Sequence, residues 1–296
     1  QLPPACSLTF DSAGLRVDRY WTLEPREPPA EPVETFRELF LDAIRLRLRS
    51  DVPLGTALSG GLDSSAVVVA IDQLLRTEVE NARPVGERQR TFTAYFEDAG
   101  FDERPFAQAV VEQTLSEPCW LTFADHALLD VLPDVVAAQG EPFGSTSVVA
   151  QWFVMRAAAE AGLKVMLDGQ GGDEVLAGYR TTHGYRLADL LARGRLRQAL
   201  AELRAFPEPK RALPVAVVTP FLPHSARWLL RGRRSRGDLL VHPSLRERTA
   251  PPAPPPSGRM PDRLRSQYHL ILAQLGLPEL LRYEDRNSMA HSLEGR

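Results

Sequence analysis

Ser59-Gly60-Gly61-Leu62-Asp63-Ser64-Ser65 combines two glycines, three hydroxyls and one carboxylate within seven residues. Glycines let a backbone turn tightly and approach a ligand closely. Their N–H groups, the serine hydroxyls and the first turn of a following helix can converge on one point, which then favours phosphate oxygens. Asp63 would repel phosphate unless a divalent cation lies between them. The stretch therefore reads as a pyrophosphate-binding loop with its own metal ligand. The alternative is a tight turn with a helix cap, Asp63 or Ser59 doing the capping. The spacing G-x-x-x-x-G-K-[ST] of the P-loop is not met here.

A second glycine-rich stretch, Asp168-Gly169-Gln170-Gly171-Gly172-Asp173-Glu174, carries three carboxylates. Taken alone it is an ordinary solvated loop. Beside the first it gains meaning, because Asp63 and Asp173 could meet on one Mg²⁺. That ion takes one or two carboxylates and completes its octahedron with phosphate and water.

Both stretches need strands to carry them. The run 52–58 and the apolar 66–71 read as strand, loop and helix around Ser59–Ser65. Leu163–Leu167 is a buried strand leading into the second stretch. Thr91–Phe96 and Cys119–Phe123 are two more strands. Helices are expected over 32–49, from the first loop to about 75, over 102–116 with Asp102 as cap, over 126–138 and over 147–161. Thr77–Gln89 reads as a surface loop. Strand alternating with helix predicts an α/β fold with a parallel, doubly wound sheet, whose ligands sit at the carboxyl ends of strands. Both glycine-rich loops fall on that edge. Before it, residues 1–30 are proline-rich, with a short strand or leading linker around Leu15, Val17, Tyr20 and Trp21. After it, 179–248 is helical in tendency and arginine-rich, 249–256 is a proline-rich loop, and 263–293 is helical again.

The chain has 296 residues, is 44% hydrophobic and 25% charged, and carries a formal net charge of −3. That balance suits a globular protein and offers no broad electrostatic case for nucleic acid. The arginines at 227, 231, 233, 234 and 236 are read as a solvent or partner surface. Cys6 and Cys119 have neither zinc nor redox spacing, so a reduced, cytoplasmic setting is expected. No apolar run reaches the ~20 residues of a membrane-spanning helix. The chain opens on Gln1 and stops at Arg296 directly after a patterned segment, so the expectation is a piece of a longer protein.

Further stretches carry a resemblance. Phe101-Asp102-Glu103, Gly140-Glu141-Pro142-Phe143-Gly144, Leu167 to Tyr179 and Arg282 to Arg296 occur in this order around Ser59–Ser65. Together they resemble the N-type ATP pyrophosphatases and, within that group, the carboxyl-terminal synthetase domain of the glutamine-dependent asparagine synthetase family. The resemblance spans about residues 15–296, with 180–260 poorly matched.

It implies an adenine nucleotide alpha hydrolase-like sheet with a helical carboxyl-terminal part. It also implies a linker from a missing glutaminase domain at 1–30, the ATP pyrophosphatase core at 31–180, and a truncated helical part at 181–296. The implied reaction uses ATP and Mg²⁺. The side-chain carboxylate of aspartate is adenylated with loss of pyrophosphate, and ammonia then forms the amide. By resemblance, Ser59, Gly60, Gly61, Ser64 and Ser65 hold pyrophosphate, and Asp63 and Asp173 hold the metal. Ala57, Leu58 and Ala94 line the adenine pocket, and Asp168 and Gly169 meet the nucleotide near the ribose. Glu141, Gly144 and Gln170 belong to the substrate pocket, although the turn at 141–144 reads equally well as a helix start near Ser147. Arg286 and Glu294 would stand behind the site, and His291 would be a structural hydrogen-bonder. The implied partners are aspartate or another carboxylate, ammonia, a glutaminase domain in cis and a second copy in a homodimer; neither nucleic acid nor membrane is among them. β-Lactam synthetases and peptide macrocyclases resemble the same family with other acceptors, and a non-catalytic paralogue is the remaining class. Two departures stand out. Gln170 replaces a glutamate found in some members and can orient but not take a proton. Neither Lys164 nor Lys210 has the context of the family's active-site lysine.

Overall fold

The structure, a computed structural model, describes residues 2–23, 27–77, 84–86, 88–96, 102–114, 116–122, 125–205 and 263–296. Phe101, Lys210, the arginine cluster at 227–236 and the proline-rich stretch at 249–256 lie outside the described residues. Two compact units are present. One joins Arg19–Gly171 to Glu279–Arg296, and the other joins Gln1–Asp18 to Gly172–Pro278.

The first-named unit is built on a five-stranded sheet. Its strands are β3 (Leu54–Ala57), β4 (Gln89–Ala94), β5 (Ser116–Leu121), β6 (Val165–Leu167) and β7 (Glu294–Gly295), in the order β5-β4-β3-β6-β7. Every pairing is parallel. The order reverses at β3: the chain runs outward through β4 and β5, then returns to place β6 on the other side. The switch point therefore lies between β3 and β6, in the register Leu54↔Val165, Gly55↔Met166 and Thr56↔Leu167. Open α/β sheets bind ligands outside the carboxyl ends of the strands at such a point.

Helices cover both faces, as a parallel sheet requires. On one, α1 (Pro32–Arg47) and α2 (Leu62–Arg76) bring Ile44, Val67 and Ile71 onto Leu54, Val165 and Leu167. On the other, Val154, Met155 and Ala158 of α5 (Ser147–Glu160) pack on Phe92 and Met166. Adjacent residues of β6 thus enter opposite cores, because side chains alternate along a strand. Three polar side chains of the sheet are tied in pairs and to backbone: Gln89 Nε2 donates to Thr56 Oγ1 at 2.6 Å, and Thr93 Oγ1 donates to the Leu58 carbonyl at 2.6 Å, whereas Thr91 Oγ1 and Gln89 Oε1 are buried without a hydrogen-bond partner among the described residues. The helix α3 (Arg104–Gln113) buries Ala107, with Val110 and Val111 at the edge of the same cluster, while Phe106 stays exposed.

A third cluster joins α4 (Asp125–Gln139), α5 and α10 (Leu277–Ala290) through Val135, Val148, Trp152, Phe153 and Tyr283. Amides lock it. Gln139 Nε2 donates to the Tyr283 carbonyl at 3.0 Å and to Asn287 Oδ1 at 2.9 Å. Asn287 Nδ2 donates to the Val148 carbonyl at 2.8 Å and to Gln151 Oε1 at 2.9 Å. Ser292, at φ 58°, turns the chain out of α10 into β7.

In the other unit, β1 (Cys6–Asp11) and β2 (Gly14–Arg19, whose last residue belongs to the sheet unit) form a hairpin. The strand expected near Leu15 thus has a partner. This unit also holds α6 (Gly172–Leu176), α7 (Arg180–Ala192), α8 (Leu196–Ala205) and α9 (Arg263–Leu270), followed by a π-helical turn at Ile271–Leu275. Buried Asp189 caps α9, accepting the N–H groups of Arg263 at 3.2 Å and Leu264 at 3.0 Å. Among the described residues no helix is long and apolar enough to cross a membrane.

Candidate active site

The first loop leaves β3 at the switch point and is tied to itself by hydroxyls. Ser59 Oγ accepts the Gly61 N–H at 3.1 Å. Ser64 Oγ accepts the Ser59 N–H at 3.2 Å, lies 3.0 Å from Ser59 Oγ and donates to the Gly61 carbonyl at 3.2 Å. Ser64 is therefore buried and turned into the loop, while Ser59 is exposed and Ser65 half-buried. Gly61 occupies the N-cap of α2, and no side chain caps the helix. Neither Asp63 nor Ser59 acts as the cap. The first amides of α2 are thus left without a side-chain cap, with half-buried Asp63 in the first turn. Helix N-termini of this kind attract anions.

Glycine is required on both flanks of the loop. Gly60 sits at φ 89°, and a Cβ there would fall 2.9 Å from both the Ala107 nitrogen and the Glu103 carbonyl oxygen at the start of α3. On the β6 side, a Cβ on Gly169 would fall 2.8 Å from the Ser64 nitrogen and 3.1 Å from Asp63 Cβ. The turn at Asp168–Gln170 thus lies directly on the first turn of α2. Asp168 Oδ1 accepts the Gln170 N–H at 2.9 Å, which shapes that turn. The side chain of Gln170 is exposed.

Behind Asp168 stands a residue that is not among the candidates read from the sequence. Glu284 of α10 is 5% exposed and within hydrogen-bonding reach of Asp168. Burial, with Asp168 and Asp285 adding repulsion, pushes the Glu284 carboxyl up to about 9. Burial also raises Asp168, against the opposing hydrogen bonds from Glu284 and the Gln170 amide. Both carboxyls are thus pushed toward the protonated form, and Glu284 is the more deeply buried of the two. The signal in the sequence was slight: Glu284 shares a helical stripe with Leu280 and Asn287.

Other expected residues take various places. Ala57 and Ala94 are half-buried at the carboxyl ends of β3 and β4, next to the Phe92 cluster. Leu58 is fully buried against Val68 and Ala107, its N–H donating to the Phe92 carbonyl at 2.9 Å, so it acts as scaffold. Glu141 is ion-paired with Arg282 of α10, and Gly144 lies in the open. Trp152, Phe153 and Met155 are core, and His291 stacks edge-on against Trp152 with ring centroids 4.3 Å apart. Arg286 and Glu294 are exposed. Asp173 belongs to the other unit, where it lies exposed over Gly178, a position at which any Cβ would collide with Asp173 Oδ1. Among the described residues no three His, Cys, Asp or Glu side chains cluster as metal ligands. A site of one or two carboxylates completed by phosphate and water remains what Mg²⁺ takes. A cavity of about 750 Å³ lined by Pro53, Val85, Arg90 and Leu163 opens at the amino ends of the strands, the edge opposite the loops.

The comparisons with known proteins agree with this geometry. The family model for asparagine synthase matches residues 35–296. A putative glutamine-hydrolysing asparagine synthetase 2 of Methanocaldococcus jannaschii is 33% identical over 182 residues, 60% of this chain and 33% of that protein. Asparagine synthetase 3 of Bacillus subtilis is 32% identical over 197 residues, 62% of this chain and 31% of its own length. Amidase chyE of Penicillium rubens is 30% identical over 171 residues, 54% and 25% of the two chains. The chain thus spans a third or less of these relatives. With a parallel sheet, a glycine-flanked loop at its switch point and a family match over most of its length, the chain belongs to the asparagine synthase family.

Proposed function

We propose that this chain is the carboxylate-activating part of an ATP-dependent amide-forming ligase of the asparagine synthase type. The observation that supports it most is the contact of Gly169 with Asp63 and Ser64 at the switch point. Two close-approach loops meet there beside an uncapped helix end, which suits a polyphosphate.

In this reading the N–H groups at the start of α2 and the Ser59 and Ser65 hydroxyls receive the β- and γ-phosphates of ATP. Ser64 braces the loop from inside. Asp63 would hold Mg²⁺, which would neutralise charge on the phosphates. The assignment of Asp173 to the same ion rests on the sequence. The half-buried Ala57 and Ala94 take the adenine, while Asp168 and Gly169 lie by the ribose. A carboxylate oxygen of aspartate attacks the α-phosphorus as its bond to the bridging oxygen of pyrophosphate breaks. Ammonia then attacks the acyl carbon, the acyl–oxygen bond breaks to release AMP, and the nitrogen gives up a proton to solvent to leave the amide. Such transfers need mostly positioning and charge neutralisation, which a rigid loop at a sheet edge supplies. A glutaminase domain in cis would supply ammonia in a cytoplasmic homodimer, and Glu141, Gly144 and Gln170 would face the acceptor.

A second reading keeps the adenylation and changes the carboxylate or the amine. It is favoured by the pairing of Glu141 with Arg282 and by the likeness to an amidase. Exchange of labelled pyrophosphate into ATP, run with aspartate and with a panel of other carboxylic acids, separates the two. Exchange that depends on aspartate and leads to asparagine supports the first reading. Exchange with another acid supports the second. A folded protein that exchanges with none loses both.

A further inference from the structure

We infer that Glu284 is a positioning residue for the nucleotide loop: its buried carboxyl donates one shared proton to Asp168 and so holds the Asp168–Gln170 turn against α2. The inference rests on the adenylation reading for the identity of the ligand, and on geometry for the pair itself. Glu284 is buried under β7, where a Cβ on Gly295 would fall 2.7 Å from its Oε1. Its helix cannot easily withdraw, because Gln139 grips the neighbouring Tyr283 carbonyl and Asn287 one turn later. Asp168 is fixed from the other side. Its N–H donates to the Arg296 carbonyl at 3.4 Å, and its Oδ1 accepts the Gln170 N–H. A buried carboxyl held against a half-buried one cannot ionise cheaply while its neighbour is charged, so one of the two keeps its proton.

The charged groups around the pair offer no relief. Asp285, on the same helix, is acidic. On β7, Arg296 is paired with Glu294 at 2.8 Å and donates to the Arg47 and Arg49 carbonyls at 2.9 and 2.7 Å. One proton thus stands where a cation would otherwise be needed. While it is present, the Asp168 carboxylate is pinned and Gly169 is pressed onto Asp63 and Ser64. Once it is lost, two negative charges repel and the turn lifts.

The test compares the full chain with Glu284→Gln and Glu284→Ala. Infrared spectroscopy at neutral pH should show a protonated carboxyl band in the wild type that disappears in Glu284→Gln. ATP binding to the wild type should weaken by about tenfold or more as the pair loses its proton on the alkaline side, since small displacements in a site of this kind cost that much. Glu284→Gln, which donates at every pH, should lack this alkaline limb, whereas Glu284→Ala should bind weakly throughout. An identical alkaline limb in the wild type and Glu284→Gln would overturn the inference, as would a missing carboxyl band. If the wild type binds no ATP at any pH, the adenylation reading fails, and the infrared band then decides the pair by itself.

Discussion

Gly169 lies so close to Ser64 that a Cβ on the glycine would fall 2.8 Å from the serine amide nitrogen. The obstacle is backbone at the start of a helix, which cannot swing aside as a flexible side chain could. Gly169→Ala must therefore push the two loops apart at the switch point. The expected outcome is a loss of about 100-fold in pyrophosphate exchange, the scale on which ångström misplacements act. Stability should fall by about 1–3 kcal/mol, typical of overpacking. Exchange kinetics and thermal unfolding of the same preparation check both. Near-normal exchange would mean that the loops need not touch.

Ser64 offers a different separation. Its hydroxyl serves Ser59 and Gly61 inside the loop. Ser64→Ala leaves the Ser59 N–H without that acceptor, at a cost of about 0.5–1.5 kcal/mol for the lost hydrogen bond. The loop then loses its brace, so the KM for ATP should rise together with the loss of stability. Ser59→Ala removes an exposed hydroxyl that accepts the Gly61 N–H, and should raise the KM with less effect on the unfolding midpoint. Equal loss of stability in both variants would contradict this division.

The sheet edge and its two loops were legible in the sequence because short apolar runs ended in glycines that the backbone geometry needs. What escaped has physical reasons. β5 starts at Ser116, earlier than the apolar run suggests, and includes Pro118; an edge strand tolerates a proline that a central strand would exclude. β7 is two residues long, Glu294 and Gly295, and has no alternation to detect. Its place comes from α10 delivering it beside β6. Glu284 is missing from the sequence candidates because its burial is created by β7 and by the packing of α10 on α4 and α5, none of which a helical period reveals. Leu58 is assigned to the adenine pocket by the resemblance alone, and its side chain enters the core between α2 and α3.

Asn287 is the joint of that packing. It is fully buried and joins α10 to Gln139, Val148 and Gln151. Asn287→Leu keeps much of the volume but strands polar groups on α4 and α5. Each stranded group costs about 1–3 kcal/mol. Urea unfolding should show a lower midpoint. Exchange should fall beyond what the unfolded fraction explains, because α10 also carries Glu284. Activity that simply tracks the folded fraction would show that the clamp has no part in placing the loop.

The protonated Glu284 also sets the sign of a pH dependence. Its ordinary value is 4.5, and burial among carboxylates raises it to about 9 in the folded protein. The folded state thus keeps a proton that the unfolded chain has released. Stability follows the difference in bound protons and falls with pH wherever the folded state binds more. The contribution is fully present below 4.5, declines through neutrality and is lost by about 9. A single proton gives a slope of up to about 1.4 kcal/mol per pH unit. Asp168, raised in the same direction, adds to the decline. Glu284→Gln has nothing to release at that position, so its stability should fall less steeply over the interval and overtake the wild type on the alkaline side. Denaturation midpoints across this range check the slope directly. Parallel curves for the two proteins would place the proton elsewhere.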